Sequence, residues 1–169
     1  MPQPVVPPLQ VGTAAPAFNL TAIGSGREVR PAAGSSQALM LVFHDQNSAD
    51  QVQKMQMKVR ARYADAQRLL IASVVDMSRV PRLLRPAAEA VMKGSYTKAA
   101  AAMPQGLDAA DYVVILTDWD GKVSKAYGAV KVDRHPLLVL LDDTGVVRGF
   151  HQGATLSQPA LEMLAPVVE

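Results

Sequence analysis

The stretch "LMLVFHDQNSADQVQKM", residues 39–55, decides how the chain is read. With Ala38 it opens as a continuous apolar run of strand length, ending at Phe43. Further on, Val52, Met55, Val59 and Tyr63 recur at spacings of three and four, which predicts a helix with one apolar face. Ser48 is a suitable cap, so the helix is expected from Ser48 to about Ala64. The polar residues His44 to Asn47 form the loop between. A buried strand entering a helix through a short loop presents backbone N–H groups at the helix start, where an anion or a reactive group is favoured.

Outward from this junction the chain alternates. Residues 11–34 hold short apolar pieces around "GSG" (24–26) and suit an edge hairpin. "RLLIASVVDM" (68–77) and "YVVILTD" (112–118) read as buried strands. Between them, 78–110 reads as a helical insertion of one or two helices, with Gly94 and Ser95 suggesting a break. "DWDGKVSKAYGAV" (118–130) is a capped turn and short helix. "PLLVLLDDTGVVRGFHQG" (136–153) is a hairpin turning at Gly145, and a last helix follows with Ser157 as its expected cap. Uninterrupted apolar strands belong to a sheet covered on both faces, and the closing hairpin makes that sheet mixed. The expected organisation is an extended, proline-rich lead over 1–10 and a single α/β domain over 11–169.

Composition narrows the chemistry. The chain of 169 residues is 49% hydrophobic and 19% charged, which is enough apolar content for one full core. It has no cysteine, which removes disulfides, thiol nucleophiles, thiolate metal sites and cysteine-held clusters. The formal charge is +2, but between Lys54 and Lys98 ten basic residues face three acids, Asp65, Asp76 and Glu89. That imbalance reads as a solvated face or as a surface for an acidic partner. Too few aromatics interleave with it to stack bases, so no nucleic acid is expected. No apolar run is long enough for membrane insertion. The first residues lack a secretory pattern, and a cytoplasmic location is expected.

Four segments in order carry a resemblance. "VGTAAPAFNLT" (11–21), "LMLVFHDQNSADQ" (39–51), "DWDGKVSKAYGAV" (118–130) and "HPLLVLLDDTGVVRGFHQG" (135–153) resemble the thioredoxin-like superfamily, in its peroxiredoxin-like (AhpC/TSA, redoxin) and membrane-anchored thiol-reductase branches. The resemblance implies a three-layer sandwich with a central mixed sheet flanked by helices. It also implies a cis bond between His135 and Pro136, and, counting on from Phe43, family cysteines at Ser48 and Gln51. The buried acid of many relatives falls at Val42. A serine hydroxyl and an amide have no redox cycle, so the thiol chemistry loses its mechanism.

The candidate site is His44, Asp45, Ser48, His135 and Pro136, with no catalytic residue and no cofactor expected. A Ser48–His135–Asp45 hydrolytic set and a metal held by His44, His135 or His151 are weaker alternatives. In the resembled family the residue before the cis-proline pairs its backbone with an extended substrate, and this outlives the cysteines. The expected function is a redox-inactive binding protein for a peptide, a protein partner, acidic on the charge argument, or a small anion. The alternatives are an oxidoreductase that borrows a partner's thiol, a structural subunit carrying an apolar patch of Leu83, Leu84, Val91 and Met92, and a homodimer that no particular residue selects.

Overall fold

The structure, a computed structural model, describes residues 9–31 and 36–169. The expected lead over 1–10, apart from its last two residues, and the end of the first hairpin at 32–35 lie outside the described residues.

The centre is a five-stranded sheet in the order β5-β4-β3-β6-β7. Its middle strand, β3 (Ala38–Phe43), is buried at all six positions and is the apolar run read from the sequence. It pairs parallel with β4 (Leu69–Asp76) and antiparallel with β6 (Leu137–Leu141). Strand β5 (Ile115–Asp118) extends the parallel side, and β7 (Val147–Gln152) closes the antiparallel side. The small hairpin of β1 (Leu20–Thr21) and β2 (Glu28–Val29) is antiparallel and joins the sheet edge through a bridge from Ala22 to Leu116.

Two apolar clusters sandwich the sheet. On one face Met40, Val42, Ile71 and Leu138 meet Val52, Met55 and Val59 of α1 (Ala49–Arg62) and Ala160 and Leu164 of α5 (Ser157–Val168). The expected helical face Val52, Met55, Val59 and Tyr63 is therefore buried as read. On the other, Leu41, Phe43, Val74 and Leu116 pack with Tyr127, which follows α4 (Lys122–Ala126).

Several local expectations differ. Residues 85–101 form one continuous helix, α2, with no break at Gly94: alanines carry it through, and Ser95 Oγ bonds back to the carbonyl of Val91 at 3.2 Å. Tyr112 belongs to a helical turn, α3 (Ala109–Tyr112), capped by the Asp108 carboxylate, so β5 is shorter than 112–118. Ser157 is the first helical residue of α5 and makes no cap; Leu156 precedes it. Among the described residues no helix is long and apolar enough to cross a membrane.

Candidate functional site

The parallel strands β3, β4 and β5 all end on one side of the sheet, and antiparallel β6 begins there, with Leu137 opposite Phe43. The loops after β3 and before β6 therefore meet. The chain leaves Phe43 and makes a 3-10 turn over Gln46–Ser48 that runs straight into α1.

The helix start is built around Asp45, a candidate site residue, and not around Ser48, the expected cap. Its carboxylate accepts from the Asn47 N–H at 2.8 Å, and its own N–H donates to Ser48 Oγ at 3.3 Å, a reciprocal capping box. Ser48 caps nothing in α1. It is fully buried, and its hydroxyl donates to the carbonyl of Val132 at 3.0 Å, in the loop before β6. That bond clips the two loops together. Gln51 is exposed on the first turn of α1, and Val42, where the resemblance implies an acid, is buried.

The loop before β6 is fastened from within. Among the described residues no peptide bond is cis, so the cis bond expected before Pro136 is absent. The loop reaches the strand another way: the His135 N–H donates to the Lys131 carbonyl at 3.3 Å, and its carbonyl accepts from Gln152 Nε2 at 2.9 Å. Both main-chain groups of His135 are thus engaged, and the expected backbone pairing with an extended ligand has no free N–H there. The imidazole itself is exposed, and Pro136 is buried beneath it in sequence. Lys131 adopts φ +54°, an uncommon left-handed conformation for a side-chain-bearing residue. Val132 and Gln152 were not legible as site residues, because a backbone carbonyl and a pinning amide leave no sequence pattern.

His44 is half-buried. Its Nδ1 lies 3.0 Å from the Asp45 carbonyl, which fits an Nδ1–H donor, and its Nε2 is buried without a hydrogen-bond partner. Burial pushes the imidazole below its ordinary 6.5, against weaker opposing pulls from Asp45. The unfolded chain then binds a proton at His44 in a range where the folded chain does not, so stability falls as pH drops below about 6.5. We expect the urea midpoint to decline from about pH 7.5 to about pH 5.5 and the decline to shrink in His44→Gln. Equal declines in both proteins would assign the titration to other groups.

These distances bear on the alternatives. Ser48 Oγ has backbone partners and no imidazole, and it is closed to solvent, so the Ser-His-Asp set is not assembled. His151, opposite Leu138 on β7, has its Nε2 3.0 Å from the Thr155 carbonyl. Among the described residues no group of three His, Asp or Glu side chains gathers for a metal. A cleft of about 260 Å³, lined by Arg27, Leu39, Leu70 and Leu141, opens at the opposite end of the sheet from Ser48.

No protein-family model and no curated protein matches the chain. Solved structures do. The pneumococcal exposed lipoprotein thioredoxin of Streptococcus pneumoniae is 19% identical with a TM-score of 0.60, over 89% of this chain and 99% of that one. The fold is thioredoxin-like. A thiol-disulfide oxidoreductase from Bacteroides fragilis (16%, TM-score 0.57, 90% and 100% covered) aligns similarly. So does the thioredoxin domain of a thiol-disulfide oxidoreductase from Bacteroides vulgatus (16%, TM-score 0.57, 91% and 97% covered). These names fall on the thiol-reductase side of the expected resemblance, not the peroxiredoxin side. The thioredoxin-like fold here carries no cysteine, and without one it has no intrinsic thiol-disulfide or peroxidatic chemistry.

Proposed function

We propose that this is a redox-inactive thioredoxin-fold protein that binds a peptide segment or protein partner at the former active-site edge. The observation that carries the reading is the pair Asp45 and Ser48. A fixed carboxylate caps the turn into the helix, and Ser48, three positions on and at the place where the resemblance puts a thiolate, ties the two site loops together through Val132. The loops remain clipped together without the nucleophile, which fits retention for contact and not for turnover.

Recognition at this edge falls to side chains. His135, Arg134, Lys131 and Gln51 are exposed around the half-buried Asp45 and His44. A small anion is the weaker ligand, because Asp45 is already an internal anion at the helix start and the Ala49 N–H is spent on the Gln46 carbonyl. A mixed-charge edge suits a polypeptide with its own acids and bases.

Native mass spectrometry of the protein purified from its own cells tests this. We expect a non-covalent adduct of peptide or protein mass that leaves on denaturation, and at least about tenfold lower occupancy in His135→Asp. A clean mass for the bare chain, or an adduct indifferent to His135→Asp, would refute binding at this edge. Insulin-reduction assays should meanwhile stay at the uncatalysed rate.

A further inference from the structure

Helix α2 and the turn before it leave large apolar side chains in solvent. The half-buried side of the helix carries Arg85, Glu89, Met92 and Tyr96, and none of its residues is fully buried, so Met92 leaves the expected apolar patch. Leu83, Leu84 and Val91 remain on the solvent side. Leu83, in the 3-10 turn that leads into the helix, is 94% exposed, Leu84 is 56% exposed and Val91 is 63% exposed. At 3.6 residues per turn, Leu84, Ala87, Val91 and Gly94 fall on one stripe. A helix that folds for its own core places such residues inward. This one is held through two side chains instead: the Tyr96 ring lies against Gly24, and the Arg85 guanidinium sits 5.6 Å over the Trp119 ring.

The charge around the stripe has one sign. From Arg79 to Leu107 there are five cations and a single carboxylate, Glu89, and that carboxylate is held by Lys93 at 3.3 Å on the flank. Arg79, Arg82 and Lys98 are exposed and enter no ion pair with a described residue. Arg79 and Arg82 both precede the leucines, and Lys98 lies at the other end of the stripe.

We propose that this face docks an acidic amphipathic helix of another protein. The small residues Ala87, Ala90 and Gly94 let a second backbone approach closely, and a side chain's worth of space at Gly94 is open. The leucines and Val91 supply the apolar contact, and carboxylates at each end of the incoming helix meet Arg82 and Lys98. The matching segment is about 15 residues long, since those two cations are separated by roughly 24 Å of helix. A second copy of the chain would set like charge against like charge. A lipid surface would gain little from alanine and glycine, whose burial contributes almost no apolar area. The surface shares no residue with the one proposed above.

Photo-crosslinking in the native cells tests the proposal, with benzoylphenylalanine at position 91 and, as control, at the exposed Met57 of α1. We expect position 91 to crosslink to a segment of another protein that is acidic and apolar at helical spacing. A synthetic peptide of that segment should bind the purified chain, with Kd raised at least about tenfold by the double variant R82E/K98E. Both cations are exposed, so the variant keeps its fold, which circular dichroism checks. Crosslinks only to lipid, to a second copy of the chain or to a basic segment would overturn the proposal. So would a yield no higher than at Met57, or a peptide Kd unmoved by the double variant.

Discussion

Replacing Phe43 by alanine is expected to lower stability by about 3–5 kcal/mol. Phe43 is essentially closed to solvent at the last position of the central strand, one residue before the site loop. Its ring lies 5.3 Å from that of Tyr127, which in turn meets Phe18 edge-on at 5.9 Å. The Tyr127 hydroxyl donates to the Pro16 carbonyl at 2.8 Å, and burial pushes that phenol well above its usual range. Deleting the Phe43 ring leaves a gap whose walls are strand backbone and other rings, so little of it can close. A domain of this size holds only about 5–15 kcal/mol in total, so the loss is a large share. Urea unfolding measures it. A loss under about 1 kcal/mol would mean that the ring stack re-forms around the gap.

The second large effect belongs to Asp142, at the turn between β6 and β7. Its carboxylate accepts from Thr144 Oγ1 and N–H, from the Val146 N–H, and from Arg148 Nε at 2.6 Å. Burial alone would raise its pKa, but these donors outweigh burial and bring it to about 2 from 3.8. The folded value lies below the unfolded one. The stabilisation is therefore complete above about pH 4 and is lost as pH falls toward about 2. Asp142→Ala is expected to cost about 2 kcal/mol at neutral pH, the shift converted to free energy. Asp142→Asn, which keeps one acceptor, should cost less and flatten the acid limb of the stability profile. Equal acid limbs in wild type and Asn variant would assign that limb to other carboxylates.

How much of this was legible follows from where the information sits. The run Ala38–Phe43 and the period of Val52, Met55 and Val59 are burial patterns, and burial is written in residue type. The order of strands followed from them, and with it the meeting of the loops after β3 and before β6. Caps were less legible, because Asp45 and Ser48 are both good capping residues, and only the 3-10 turn decides that Asp45 does the work. Gly94 read as a break, yet a glycine in an exposed helix costs only about 1 kcal/mol, which flanking alanines tolerate. The bond before Pro136 could not be settled from sequence, since a proline admits both isomers and here Gln152 fastens the loop in the trans form. The exposed side of α2 was visible only as an apolar patch. Which side of a helix meets the body depends on partners such as Gly24 and Trp119, far away in sequence.

The contact between Tyr96 and Gly24 has a consequence for how the molecule breathes. A side chain at Gly24 would collide with the ring, so the hairpin turn and α2 are fitted to each other. Yet α2 contributes nothing to either apolar cluster of the sheet. Its detachment therefore exposes no core, and its backbone amides should exchange with solvent through a low-energy opening while those of β3 and β4 wait for global unfolding. The chain is in that sense expected to behave as two cooperative units, a slow sheet and a fast helix, joined at Tyr96 and Arg85.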